Sequence, residues 1–207
     1  MHFRSLGRFA ALATGLVVLT VGGSVAEAAT TSLPAATSAC SSGVLSQPFL
    51  AFHDQNFYSL MPGENADGFN GAGWTLTNGA KIVTTTLADG KTASVLDLPS
   101  NATAVSPVVC VTSAYPVARM EIRDLVGAEG VAFNVEYLGT STATKPKSTG
   151  QVHSNTGTSW DASGQVNIQP NGNIAGWQPM RLVLAGKGNT SDFQIYNLYI
   201  DPRCMGA

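Results

Sequence analysis

The chain has 207 residues, 12% of them charged, and a formal net charge of −2. With 11 basic against 13 acidic side chains it has no surplus of positive charge to release counterions from nucleic acid or to meet an anionic membrane, which argues against both as partners. Gly, Thr, Ser, Val and Asn recur in many short segments, and no long window of 3.6-residue periodicity with a cap occurs. Strands and turns should therefore dominate, with at most one or two helical turns.

From the N-terminus, Arg4 and Arg8 precede an apolar run from Phe9 through Val21, and Ala26-Glu27-Ala28 gives the small-x-small pattern of a signal peptidase site. Residues 1–28 read as a signal peptide removed before Ala29, which makes the product secreted, extracellular or associated with the cell wall. The run is short for a bilayer span and nothing later resembles a second one, so no membrane span is expected after cleavage. Residues 29–42, mostly Ala, Thr and Ser, read as a flexible leader. Residues 43–204 then form one domain, about right for a single core.

In an oxidising compartment two of Cys40, Cys110 and Cys204 should pair. Cys40 with Cys110 is preferred and would close a loop of about seventy residues, worth ~4 kcal/mol in the chain-entropy model. Cys40 with Cys204 is the competitor, because first and last strands of a sandwich often lie side by side. The sequence alone leaves both open.

Short apolar or alternating runs punctuated by Gly, Pro, Asn and Asp fill the domain: 49–52, 57–61, 74–77, 80–86, 94–98, 108–112, 119–124, 131–138, 165–168, 180–185 and 193–200. That spacing predicts an antiparallel sandwich or barrel. In the middle, Met120, Ile122, Phe133 and Val135 alternate with Arg119, Glu121, Arg123, Asn134 and Glu136 on either side of Gly127–Gly130. Read as a hairpin, this places Arg119 opposite Glu136, Glu121 opposite Asn134, and Ile122 opposite Phe133, with one apolar and one polar face. Residues 140–164, poor in large apolar side chains, read as an exposed strand with flanking loops.

Phe69-Asn70-Gly71-Ala72-Gly73-Trp74 and Ile195-Tyr196-Asn197-Leu198-Tyr199-Ile200-Asp201-Pro202 resemble the opening and closing segments of jelly-roll carbohydrate-binding modules of the galactose-binding-like type. With Leu60-Met61-Pro62-Gly63, Ser106-Pro107-Val108-Val109-Cys110-Val111 and Gly176-Trp177, the order is similar to a family of secreted actinobacterial single-domain β-sandwiches of undetermined function. The resemblance implies an all-β, antiparallel jelly-roll sandwich, and it implies the Cys40–Cys110 pair, since the family's two cysteines match these. Such modules often carry two acids in the closing strand, one of which helps hold a structural calcium, where this chain has Tyr196 and Asn197. Calcium needs six or more oxygens with carboxylates among them, so no metal and no cofactor are expected.

Sugar binding needs an exposed ring and a few fixed polar groups. Trp74 and Trp177, flanked by apolar residues, read as core. Trp160, between Ser159 and Asp161, is the ring candidate. Arg119, Glu121, Arg123, Asn134 and Glu136 form a polar ladder that is either a binding face or a solvated face of paired charges, the second being favoured. Arg119-Met120-Glu121-Ile122-Arg123 and Gln151-Val152-His153 also resemble two motifs of jelly-roll alginate lyases. That would give Arg119, Arg123, Gln151, His153 and Tyr196 catalytic roles around a uronate. The expected function is a monomeric, non-catalytic module for an extracellular polysaccharide or cell-wall glycan, with the lyase and a protein-interaction or structural module as alternatives.

Overall fold

A strand with apolar side chains at every second position must bury one face, and many such strands can bury theirs together only by stacking two sheets. The structure, a computed structural model, does this for residues 40, 44–65, 68–112, 117–127, 129–138, 147–168 and 176–201. These all belong to one compact unit of the chain. The expected signal peptide, the leader apart from Cys40, and Cys204 lie outside the described residues.

The strands in chain order are β1 (Leu45–Ser46), β2 (Tyr58–Leu60), β3 (Glu64–Asn65), β4 (Gly68–Phe69), β5 (Thr75–Thr77), β6 (Lys81–Thr86), β7 (Thr92–Pro99) and β8 (Thr103–Val105). They continue with β9 (Val109–Val111), β10 (Val117–Val126), β11 (Val131–Tyr137), β12 (Lys147–Val152), β13 (Asp161–Ala162), β14 (Val166–Asn167), β15 (Gln178–Gly186) and β16 (Asp192–Asp201). In the front sheet β10 carries β13 and β14 on one edge and β16 on the other. β16 then pairs with β7 and β2, and β7 with β6. The back sheet runs β12-β11-β15-β8-β5, with β9 also on β15. Pairing is antiparallel except for a single parallel contact between Gly68 of β4 and Ser94 of β7.

From β7 onward the chain passes repeatedly between the sheets, β8–β9 in the back, β10 in the front, β11–β12 in the back, β13–β14 in the front, β15 in the back and β16 in the front. This is jelly-roll wiring of an all-β sandwich. Leu96, Leu98, Met120, Ile122, Phe193 and Ile195 of the front sheet meet Phe133, Val135, Met180, Leu182 and Leu184 of the back sheet in one buried apolar layer. Trp74 closes one side of it, its ring centroid 4.9 Å from that of Phe69 and its Nε1 donating to Pro62 O at 2.7 Å. Trp177 packs partly buried against the same layer. Both rings occupy the positions their flanking residues implied.

Two sequence expectations need correction. Phe49–Phe52 is not a strand: Leu50–Phe52 forms a single 3₁₀ turn, in which the buried Phe49 and half-buried Phe52 pack on a second small cluster with Tyr58, Ala162 and Tyr199. More importantly, β10 and β11 do not form a hairpin. β10 pairs with β13, β14 and β16, whereas β11 pairs with β12 and β15, so the chain passes from one sheet to the other between Val126 and Val131. Ile122 and Phe133 are fully buried as expected, but they face each other's sheets across the core rather than lying side by side. Alternation fixes which face of a strand is buried and is silent about which neighbour it bonds.

Cys40 and Cys110 are joined, with Cα atoms 5.6 Å apart and a sequence separation of 70. The bond ties the segment before β1 to β9, whose own ladder with β15 is only three residues long. Replacing both cysteines by serine should lower the unfolding free energy by roughly 4 kcal/mol in the chain-entropy account, measurable by urea denaturation with and without reductant. An unchanged midpoint would mean that the bond constrains nothing in the unfolded chain.

Candidate functional site

Inward-facing Ala118, Met120 and Ile122 of β10 leave Arg119, Glu121 and Arg123 on the outer face of the front sheet. On the neighbouring β16 the alternation places Gln194, Tyr196 and Tyr199 on that same face. An extra residue is accommodated at a bulge where the register shifts between Arg119 and Glu121, and Asn197 there takes the left-handed conformation with φ of 50°. The bulge is local, yet it decides the site: it turns Tyr196 and Asn197 together toward Glu121. The Tyr196 hydroxyl donates to Glu121 Oε2 at 2.7 Å and Asn197 Nδ2 donates to Glu121 Oε1 at 2.9 Å. Burial, and then the bond to Glu121, hold the Tyr196 phenol well above its ordinary range.

Each arginine of β10 is spoken for. Arg119 pairs with Asp54, donates to Ser163 O at 2.8 Å from Nε, and lies over the Phe49 ring with 5.0 Å to its centroid. Burial pushes the Asp54 carboxyl up, but hydrogen bonds from Tyr58, the Asn56 amide and Arg119 outweigh it and hold Asp54 below its usual value. Arg123 donates from Nε and Nη2 to Gln194 Oε1 at 3.0 and 2.6 Å, and from Nη2 to Thr85 Oγ1. Gln194 passes the chain on to Asp97, which meets Lys81 at 3.4 Å.

The Arg123–Thr85 bond has a geometric consequence. Thr85 is on β6, with β16 and β7 standing between it and β10. Three strand spacings amount to roughly 14 Å on a flat sheet, so the front sheet must be hollowed on its outer face for one arginine to bridge it. Trp160 makes the same crossing from farther away. It precedes β13, on the opposite edge of β10, yet its Nε1 donates to Thr86 O at 3.0 Å. The half-buried indole lies with the Arg123 guanidinium 4.8 Å from its centroid and the Tyr196 ring set edge-on at 4.9 Å. Its turn is fixed to the end of β10, where Ser154 N donates to Asp124 Oδ1 at 3.2 Å and Asp124 N donates to Gly157 O at 2.8 Å. Trp160 and Arg123 together form a strap across the hollow.

Beside the strap is a pocket of about 220 Å³. It is lined by Gly68 of β4, Thr92 and Ala93 of β7, Leu87, Asp89 and Lys91 of the turn between β6 and β7, and Tyr196 and Asn197 of β16. Asp89 and Lys91 pair at 2.7 Å, and the Lys91 amide donates to Asp89 Oδ1 at 3.0 Å, which shapes the rim. Gly68 is required where it is: a Cβ there would sit 2.3 Å from Ser94 O, breaking the one parallel contact.

Of the residues singled out in the sequence, Arg119, Glu121, Arg123, Trp160 and Tyr196 share this face. Asn134 and Glu136 do not. Because β11 belongs to the back sheet, Asn134 donates to Val183 O at 3.3 Å and Glu136 stands opposite Arg181 in the ladder, so the expected five-residue ladder is divided between two sheets. Gln151 and His153 are both exposed, Gln151 on the back-sheet edge strand β12 and His153 just after it. The five lyase-like residues are thus shared between the front and back sheets. Asp89, Lys91 and Gln194 escaped sequence reasoning because single polar residues in a turn or strand carry no signal until the fold juxtaposes them.

Glu64 of β3 reaches beneath the same bulge. Its Oε1 accepts the Leu198 amide at 2.9 Å, while its enclosed Oε2 has no partner. Burial, partly offset by backbone N–H groups of Leu198 and Asn197 and reinforced by Glu121, pushes the carboxyl up to about 8. A structural calcium does not suit this place. Both oxygens of Glu121 are engaged, Glu64 offers one, and no cluster of three or more His, Cys, Asp or Glu occurs among the described residues.

No family model matches the chain, and no curated protein matches it by sequence. Solved structures of low similarity do. The xylan-binding CBM22-1 domain of Xyn10C from Paenibacillus barcinonensis is 13% identical, with 64% of this chain and 87% of that one covered, at a TM-score of 0.43. A family 6 carbohydrate-binding module from Clostridium cellulolyticum, solved with xylose, is 15% identical over 60% and 89% at 0.39. A family 11 module from Clostridium thermocellum, solved with a mixed-linked tetrasaccharide, is 12% identical over 72% and 96%, also at 0.39.

A carboxyl that is neutral when folded and ionises near 4.5 when unfolded makes stability fall as pH rises from about 4.5 to about 8 and level off beyond. Glu64→Gln, which keeps the acceptor for Leu198, should flatten that slope and raise the melting temperature at pH 8 relative to the parent, with little change at pH 4. A parallel shift at every pH would show that Glu64 is ionised in the folded protein.

Proposed function

We propose that this chain is a secreted, monomeric, non-catalytic module that binds an extracellular polysaccharide or cell-wall glycan, and that the pocket between Tyr196 and the Asp89–Lys91 turn is where a sugar sits. The pocket carries the reading. It combines the apolar Leu87, the Tyr196 ring, and an amide, an ammonium and a carboxylate able to match the alternating donor and acceptor character of sugar hydroxyls. Its volume is below the roughly 300 Å³ at which drug-sized pockets begin, which suits a single ring. Secretion accords with the N-terminal sequence and with the Cys40–Cys110 bond, which persists in oxidising compartments. Among the described residues no helix is long and apolar enough to cross a membrane.

Against lyase chemistry stand the engagements of the candidate residues. Both arginines are held by protein acceptors, and a phenol raised by burial and bonded to a carboxylate is a poor source of the anion that would take an α-proton.

Retention on insoluble glycans tests the reading. The parent should be held by at least one neutral polysaccharide, Asn197→Ala and Lys91→Ala should each weaken retention about tenfold, and incubation with alginate should produce no ultraviolet absorbance from unsaturated uronates. Growth of that absorbance would establish the lyase. Failure of every glycan to retain the protein would leave an interaction module.

A further inference from the structure

The strap gives this pocket a specificity that the presence of a sugar site alone does not. A groove that binds the interior of a polysaccharide must be open at both ends, so that the chain can enter, seat a ring and leave. Here the hollow of the front sheet is crossed by Arg123, bonded to Gln194 and Thr85, and by the Trp160 indole, bonded to Thr86 O and packed edge-on with Tyr196. Tyr196 is also a wall of the pocket. Leu87, Asp89 and Lys91 of the turn between β6 and β7 line it as well. A ring seated against Tyr196 therefore meets the strap on that side, and a chain cannot continue past it there.

We infer that the pocket takes the terminal residue of a neutral glycan, so that the protein counts chain ends rather than chain length. This rests on the carbohydrate reading above and adds to it the class of recognition. Neutral sugar is favoured because the lining holds one cation and one anion, Lys91 and Asp89, paired with each other, so the pocket offers a uronate no net positive charge. A terminal residue differs from an internal one by a free hydroxyl, and the Asn197 amide and the Lys91 ammonium are the pocket's donors closest in kind to what that hydroxyl requires. Trp160 acts here as a positioning residue, because it shapes the wall through Tyr196.

The test compares intact xylan, mannan, galactan and mixed-linked β-glucan with the same mass of each after partial endo-hydrolysis, titrated against the full secreted chain. End recognition predicts that binding sites per gram rise in proportion to the chain ends, tenfold for a tenfold cut, and that the free disaccharide competes. Sites per gram that stay constant or fall on cutting would overturn end recognition while leaving carbohydrate binding intact. No binding to any of the four would remove the carbohydrate reading and the inference with it.

Trp160→Ala should open the hollow and raise sites per gram on the intact polymers toward the value for the cut ones. Trp160→Phe keeps a ring beside Arg123 and Tyr196, loses only the bond to Thr86 O, and should lie between, which separates strap removal from a general loss of fold. If neither variant changes the ratio of intact to cut, the strap does not set the specificity.

Discussion

Everything in this molecule depends on two sheets sharing one apolar layer. Met120, Ile122, Phe193 and Ile195 can be fully buried only because Phe133, Val135, Leu182 and Leu184 come down on them from the other side. At roughly 25 cal/mol for each Å² of apolar surface withdrawn from water, this layer is the dominant stabilising contribution. Its demand on the sequence is alternation, which on β10 leaves the opposite face to Arg119, Glu121 and Arg123. The outer face of β10 is therefore polar because its inner face is oil.

That face is not the loose array of solvated charges that surface strands usually carry. Asp54, Glu121, Asp97 and Gln194 are all buried, and the arginines beside them are half covered. Partners for buried charge must be supplied in full, since an unpaired one costs several kcal/mol. The supply comes from four separate stretches of chain: residues 54–58 before and within β2, β6 with Lys81 and Thr85, 159–163 around β13, and β16. The bonds among them tie these stretches to one surface, so the polar network organises the edges of the sandwich while the apolar layer holds its middle.

The fold class was legible in the sequence, and the strand positions largely so, because alternation, breakers and length are local signals. Pairing was not. The residues from Arg119 to Asp124 and from Val131 to Leu138 read equally well as neighbours in one sheet or as opposites in two, since each needs only one buried face. That ambiguity alone divided the predicted polar ladder, sending Asn134 and Glu136 to the back. Arg119, Glu121 and Arg123 stayed together because period two keeps residues of one strand on one face whatever that strand bonds to. Trp160 was legible as an unusual ring in a polar stretch. Its partners Thr86 and Tyr196 lie 74 and 36 positions away, and only the curl of the front sheet brings them within reach.

The floor and the rim of the pocket live under different constraints. At Gly68 a single added carbon would strike the backbone of the neighbouring strand, whereas at Gly90, on the rim, it would meet nothing within 4 Å and only the positive φ of 81° opposes it. Lengthening the rim turn leaves every ladder of the sandwich untouched, while altering the floor unseats a strand. Variation confined to that one loop would therefore reshape the mouth of the pocket with the architecture beneath held constant.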